Sequence, residues 1–401
     1  MSDSITYNKK SVEDIDLGGK KVLLRCDFNV PLDKTTGKIT DEGRIIAALP
    51  TIKYLLDKGA AVIACSHLGR PKGEWKPELS LEPVAENLSG HLGKTVKMAK
   101  DVIGDDAKAL ASGLGSGEIM LLENLRYHKE EEKNVPEFAA ALASMADIFV
   151  SDAFGTVHRA HASTEGVSHH LPAVSGFLLK KELDNIGGAI SDPKRPLVAI
   201  LGGAKVSDKL GVITNLLNVA DSIIVGGGMA YTFFKAQGGS IGNSLCEDGE
   251  IDSVLKMLDE AKSRGVKLLL PVDSVAAKEF SNDADAVTVD SNAIGDGMMA
   301  LDIGPRATAE FTEEIAKAGT IVWNGPMGVF EFSKFANGTI AIANAVADSP
   351  AASVIGGGDS AAAVRKFGLA DKITHISTGG GASLEFMEGK VLPGIACLLD
   401  A

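Results

Sequence analysis

Charged, amide and histidine side chains gather at the ends of short apolar runs in the first 165 residues: Asp27 and Asn29, His67 and Arg70, Arg126, then His158, Arg159 and His161. In the second half the corresponding runs end in glycine: Gly202-Gly203, Gly226-Gly227-Gly228, Gly356-Gly357-Gly358 and Gly379-Gly380-Gly381. Basic side chains hold a small compact anion through directed hydrogen bonds, whereas bare backbone N–H groups at helix starts cradle a chain of phosphates. The pattern points to two different anions facing each other across a cleft.

Each group has its own chemistry. The segment 202–209 follows an apolar strand and starts a helix, which would place Lys205 and Lys209 one turn apart on one face. There they oppose the helix dipole unless an anion offsets them; a solvated face, softened by Asp208, is the alternative. Gly356-Gly357-Gly358-Asp359-Ser360 repeats the arrangement, with Asp359 free either to cap the helix or to meet a phosphate-bound Mg²⁺. For Gly226-Gly227-Gly228, a phosphate loop and close packing of helix on strand are equally good readings. Trp323-Asn324-Gly325-Pro326 opens a loop able to seat an adenine ring, with Glu331 accepting from ribose hydroxyls, unless it is an ordinary Gly-Pro turn. Arg44 lies just inside a helix that Asp41 can cap, again against the dipole, or else pairs with Asp41 or Glu42. Arg70, Arg126 and Arg159 stand at separate strand ends, and arginine suits bidentate recognition of carboxylate or phosphate. His67, His158 and His161 lack metal-binding spacing and read as substrate contacts or loop hydrogen bonds. His169-His170 and Glu130-Glu131-Glu132 read as solvated surface.

Two nucleotide-site motifs fail. Gly356-x-Gly358-x-x-Ala361 matches a dinucleotide fingerprint, but the acidic residue expected about twenty positions on is replaced by Ser377-Thr378-Gly379-Gly380-Gly381. Gly93-Lys94-Thr95 has Leu88 where a P-loop needs its first glycine.

Positioning these tips requires parallel sheets. Runs rich in Val, Ile and Leu recur at 21–26, 60–65, 119–122, 148–150, 197–201, 222–225, 266–270, 321–323, 353–355 and 373–377. Helical patterns separate most of them, at 45–56, 81–92, 135–145, 251–264 and 309–318. Strand, loop, helix, strand is the signature of a parallel sheet covered on both faces, with ligands outside the carboxyl ends of the strands. We therefore expect an α/β fold of two doubly wound, Rossmann-like parallel-sheet domains joined by a hinge helix. The hinge falls in 171–190, where a Pro-Ala-Val-Ser-Gly turn leads into Phe177-Leu178-Leu179-Lys180-Lys181-Glu182-Leu183. The expected domains are 1–174 and 175–391.

Size and composition agree: 401 residues exceed what one core usually organises, and 45% apolar with 23% charged residues is ordinary for a globular chain. A formal charge of −13 argues against nucleic acid or an anionic membrane surface as partner, so clustered arginines need a specific reason. Cys26, Cys65, Cys246 and Cys397 show no zinc or C-x-x-C spacing, and three of them sit in or beside apolar runs, which suggests reduced thiols. With a polar stretch at 1–16, no apolar leader and no spanning run, the cytoplasm is the expected location.

Taken together the motifs resemble the phosphoglycerate kinase family. They run from Arg25-Cys26-Asp27-Phe28-Asn29-Val30-Pro31, Ser66-His67-Leu68-Gly69-Arg70-Pro71, Glu123-Asn124-Leu125-Arg126 and Asp152-Ala153-Phe154-Gly155 through His158-Arg159-Ala160-His161. The 202–209 loop, Trp323-Asn324-Gly325-Pro326, the 356–360 loop and Thr378-Gly379-Gly380-Gly381 continue the series. The resemblance implies phosphoryl transfer between 1,3-bisphosphoglycerate and MgADP, giving 3-phosphoglycerate and MgATP, by hinge closure of a monomer. It implies that Asp27, Phe28, Asn29, Arg44, His67, Leu68, Gly69, Arg70, Arg126 and Arg159 bind the glycerate. On the same ground Lys205, Lys209, Ala300, Asn324, Glu331, Gly357, Gly358, Asp359 and Ser360 bind nucleotide, with Asp359 meeting Mg²⁺. Arg44, Lys205, Gly358 and Gly380 would surround the migrating phosphoryl group, and a tail at 392–401 would return to the first domain. Ala300-Leu301-Asp302 departs from the family's usual Gly-Leu-Asp, adding a methyl group beside the nucleotide. Two rivals stand beside this reading: a hinged anion-binding protein, of a kind generally exported, and a nicotinamide dehydrogenase, weakened by the missing acidic partner.

Overall fold

The computed structural model describes residues 7–401. Its first sheet is built from β1 (Lys21–Arg25), β2 (Ala61–Cys65), β3 (Val96–Met98), β4 (Ile119–Leu121), β5 (Ile148–Ser151) and β6 (Ala173–Ser175), all parallel in the order β3-β4-β2-β1-β5-β6. Its central strands are apolar and buried on both faces, as the uninterrupted Val-Leu-Leu and Ala-Val-Ile-Ala runs require. The order reverses at β1, which pairs with β2 on one side and β5 on the other. Register puts Arg25 level with Cys65 and Ser151, so the segments after all three strands emerge together.

The second sheet contains β7 (Leu197–Leu201) and β8 (Ser222–Val225), followed in the chain by a short β9 (Ser240–Ile241) that lies outside it. Next come β10 (Lys267–Leu269), β11 (Asp273–Ala277), β12 (Ala286–Asp290), β13 (Ala293–Ile294) and β14 (Met299–Ile303), then β15 (Thr320–Asn324), β16 (Ala352–Gly356) and β17 (His375–Ile376). The main sheet is parallel in the order β10-β8-β7-β15-β16-β17. Leu201 lies level with Val225 and Asn324, and Asn324 with Gly356, so register delivers the glycine clusters to one edge. The fold is the expected pair of doubly wound α/β sheets. Beside the second sheet lie an antiparallel sheet, β12-β11-β14, and a pair, β13-β9, which the sequence reading did not include. β12 is largely exposed and polar on alternate residues, so it lacks the apolar run that marks a buried strand.

By packing, the chain divides into one unit that ends at Asp184 and includes Val391–Ala401, and another spanning Asn185–Lys390. This division falls later than 174/175 because the Pro-Ala-Val-Ser-Gly stretch is an edge strand, β6, and the helix after it packs on the first sheet. Phe177 meets Tyr54 edge-on at 5.0 Å, and Asp152 Oδ1 accepts from Leu178 N at 2.9 Å and Leu179 N at 3.1 Å. From there Phe177–Glu182 is α-helical, Leu183–Gly187 widens to a π-helix, and Gly188–Ser191 is α-helical again. The tail is tied down within the first unit, with Lys10 N on Leu399 O at 2.8 Å and Gly394 N on Val157 O at 2.9 Å.

Candidate active site

In the first unit the loops after β1, β2 and β4 are laced together. Phe28 N donates to Ser66 Oγ at 2.8 Å, and Asn29 Oδ1 accepts from Gly69 N at 2.8 Å. Asn124 brackets Leu68, accepting from its N at 3.2 Å and donating to its O at 2.8 Å. Gly69 needs its glycine: φ is +60°, and an added Cβ would lie 2.9 Å from Leu79. Arg126 is buried beneath this loop, with Nη1 on Gly69 O at 3.0 Å.

Arg44 lies in the first turn of the Gly43–Asp57 helix, and its Nη1 reaches Asp27 Oδ2 at 2.5 Å. The pairing with Asp41 or Glu42 does not occur: Asp41 accepts from Gly43 N, and Glu42 is taken by Asn87 and His91. Arg70 is exposed and makes no hydrogen bond or ion pair among the described residues, while exposed Arg159 donates to His158 Nε2 at 3.1 Å. Burial, then the charges of Arg25, Arg126 and Arg44, hold the His67 imidazolium well below its ordinary range. Burial, then Arg126, Arg25 and Arg159, pushes His161 down to about 4. These mutual penalties show that the structure gathers Arg25, Arg44, Arg126, Arg159, His67 and His161. In a chain of charge −13, such crowding of cations is suited to a multiply charged anion.

Two members of this region were misread or missed. Glu131, expected on a solvated surface, is 1% exposed and accepts from Ser163 N and Oγ. Arg25 is also 1% exposed, and its sequence signal was a guanidinium set at the end of an apolar strand.

The second unit holds amides and a cavity. Lys205 and Lys209 do not share a helix face, because the helix begins only at Leu210. Lys205 is exposed on the preceding loop, without hydrogen bond or ion pair among the described residues. Lys209 ends a 3-10 turn, Ser207–Lys209, that Glu247 anchors through Ser207 N and Oγ. Its half-buried ammonium donates to Asn324 Oδ1, and burial lowers it from its ordinary value despite Asp208 and Asp359 nearby.

The Gly358–Lys366 helix starts after Gly357, whose φ is +86°. Asp359 does not cap it; its exposed carboxylate makes no hydrogen bond among the described residues. Ser360 is buried, with its hydroxyl oxygen accepting from Gly325 N at 2.5 Å, so that oxygen braces the Trp323 loop. Gly380, with φ +52°, precedes the Gly381–Met387 helix and leaves open space where a Cβ would be. Among the described residues no group of three or more His, Cys, Asp or Glu is placed to hold a metal ion. A free hard carboxylate beside amide-rich loops fits Mg²⁺ carried mainly by phosphate oxygens, and Asp359 supplies it.

A cavity of about 330 Å³ opens beside these loops. Gly203, Gly227, Ala300, Met327, Glu331 and Asp359 are among its walls, with Tyr231, Leu245 and Phe280 contributing apolar surface that sequence reasoning did not single out. Gly226-Gly227-Gly228 shows the close packing: Gly227 packs against the Gly203 backbone, and Gly227 and Gly228 also line the cavity.

Asp302, also on this wall, is 2% exposed, and burial pushes its carboxyl up to about 7 although Gly338 N and Ile303 N donate to it. The folded state therefore keeps a proton that the unfolded chain releases, so this group's contribution to stability is lost as pH rises from about 4 to 7. In denaturant melts, Asp302→Asn should flatten that part of the pH dependence. An unchanged slope would show that Asp302 is already ionised.

No helix among the described residues is long and apolar enough to cross a membrane. The profile of the phosphoglycerate kinase family matches residues 12–390. Phosphoglycerate kinase of Clostridium botulinum (strain Hall) is 59% identical over 399 residues, covering 99% of this chain and 100% of the relative. That of Clostridium tetani is 58% identical, with 99% of each chain covered. Among solved structures, phosphoglycerate kinase from Coxiella burnetii superimposes with a TM-score of 0.92 at 45% identity, over 97% of this chain and 98% of the other. The enzyme from Pyrococcus horikoshii OT3 gives 0.78 at 36% identity with the same coverage. Matching sequence over nearly its whole length, and carrying the same two-sheet fold, the chain belongs to the phosphoglycerate kinase family.

Proposed function

We propose that the chain transfers the acyl phosphoryl group of 1,3-bisphosphoglycerate to MgADP, reversibly, giving 3-phosphoglycerate and MgATP; in the reverse direction the acceptor is a carboxyl group. The observation that carries this reading is the division of labour in a member of this family: crowded cations on one unit, glycine loops at helix starts and an apolar cavity on the other.

On the first unit Asp27, Asn29, His67, Arg70, Arg126 and Arg159 hold the glycerate, with Phe28, Leu68 and Gly69 shaping its bed and Arg44 reaching the reacting carboxyl end. On the second, the cavity walls, including Ala300, take the nucleoside and Glu331 its ribose. Asn324, Lys205, Lys209 and the amides at 357–360 take the phosphates. Asp359 would hold Mg²⁺, which when bound neutralises charge across the phosphate oxygens.

A carboxylate acceptor is already ionised at neutral pH, so no general base is needed. The depressed imidazoles His67 and His161 agree, being neutral hydrogen-bonding groups there. What remains is in-line positioning and stabilisation of charge on the migrating group, by Arg44 with Lys205 and the amides of Gly358 and Gly380. Because these groups belong to different units, the reaction requires them to meet, and we assign that motion to bending within 171–190. Reduced cysteines, all four being free thiols, support a cytoplasmic setting, and we take the working form to be a monomer.

A coupled assay should show ATP formed from ADP only with 1,3-bisphosphoglycerate and Mg²⁺. Small-angle scattering should show a smaller radius of gyration with both ligands bound than with neither. Absence of ATP formation would refute the reaction, and absence of compaction the closure.

A further inference from the structure

Arg25 spends every nitrogen of its guanidinium inside the first unit. Nε donates to Ser163 Oγ at 2.8 Å, Nη1 to Cys26 O, and Nη2 meets His67 Nδ1 at 3.1 Å. Ser163 Oγ in turn donates to Glu131 Oε1 at 2.6 Å, and Ser163 N to Glu131 Oε2 at 3.0 Å. Arg25, Ser163 and Glu131 are each at most 1% exposed, and His67 is 5% exposed. A guanidinium has donors and no acceptor, so the ring nitrogen it meets must be unprotonated. In a neutral imidazole the proton is then on the other nitrogen.

We propose that Arg25, braced through Ser163 by Glu131, is a positioning residue that locks His67 as the neutral tautomer with its proton on Nε2, making that N–H a fixed donor for an anionic oxygen of the glycerate ligand. The glycerate part rests on the function proposed above; the lock rests on geometry alone. With its nitrogens engaged, Arg25 acts on ligand through His67, unlike exposed Arg70 and Arg159. The buried Glu131 carboxylate supplies the countercharge that lets Arg25 occupy this interior position, and Arg126, Arg44 and His161 oppose a second proton on His67. An imidazole free to exchange tautomers would offer an acceptor lone pair part of the time, which repels an anion. The lock removes that state before ligand arrives.

Long-range ¹⁵N–¹H correlation spectra of the ligand-free full chain test this directly, with His67→Gln identifying the signal. His67 should appear as one neutral species protonated on Nε2 from about pH 8 to about pH 6. Arg25→Lys, which keeps the charge but loses the planar fork that reaches three separate acceptors, should introduce a second tautomer and raise the KM for 3-phosphoglycerate about tenfold, with the KM for ATP unchanged. Ser163→Ala, a milder change in the same network, should do the same with a rise of about threefold. A wild-type His67 protonated on Nδ1, or carrying both protons, overturns the proposal. So does an intact Nε2–H signature in both folded variants. If the spectra behave as expected but His67→Gln leaves the KM for 3-phosphoglycerate unchanged, the glycerate assignment falls and the lock stands.

Discussion

Replacing Arg44 by alanine is expected to lower kcat by roughly a hundredfold or more while shifting the KM for nucleotide by no more than about twofold. A hundredfold loss corresponds to about 2.7 kcal/mol of transition-state stabilisation, the size seen when a preorganised donor to developing charge is removed. Arg44 is placed for such a role. Its side chain is 47% exposed, it sits in the first turn of a helix where a lone cation is disfavoured, and among the described residues its one hydrogen-bonded partner is Asp27 at 2.5 Å. An exposed pair of this kind contributes about 0–1 kcal/mol to stability, so the variant should fold like its parent and the kinetic loss should report chemistry. Arg44→Lys should recover part of the rate, since a point charge replaces the fork. Steady-state kinetics in both directions decide the matter. A variant that loses only glycerate affinity, with kcat intact, would reduce Arg44 to a binding residue.

How much of this could be read from sequence depends on whether a residue's setting is local. Parallel strands buried on both faces leave uninterrupted apolar runs, so β1, β2, β7 and β15 and the tips beyond them were legible. β12 was not, because a mostly exposed strand has no such run. Arg25 and Glu131 show the limit more sharply. Their interiors are made by a serine 138 residues from one and 32 from the other, and a charged triplet gives no local sign that its middle member turns inward. Lys205 and Lys209 failed differently: the spacing was right for a helix face, but the helix starts after both. The cavity walls from Tyr231, Leu245 and Phe280 come from separated segments, so nothing in one window of sequence announces them.

The glycines that suggested a phosphate cradle are of two physical kinds, and one pair of substitutions separates them. At Gly202 an added Cβ would lie 2.1 Å from Pro326 O and 2.7 Å from Gly325 O, backbone atoms that cannot rotate away. At Gly358 it would meet nothing within 4 Å, and φ is not in the left-handed region. Gly202→Ala should therefore destabilise by about 3 kcal/mol, the cost of overpacking against rigid neighbours. In a unit of this size that lowers the melting midpoint by roughly 6–12 °C. Trp323 reports it: the indole is fully buried in this unit and donates to Gly325 O at 2.7 Å, beside the clash. Gly358→Ala should melt within about 0.5 kcal/mol of the parent, since alanine suits a helical position. Its methyl group would nevertheless stand over the amide proposed above to meet a phosphate, so kcat/KM for nucleotide should fall about tenfold or more. A Gly358→Ala enzyme with parental nucleotide kinetics would remove that helix start from the binding surface. A Gly202→Ala protein with an unshifted midpoint would show that the loops of 202 and 326 are not in backbone contact. If both outcomes are as expected, one glycine is present because protein approaches protein, and the other because ligand approaches protein.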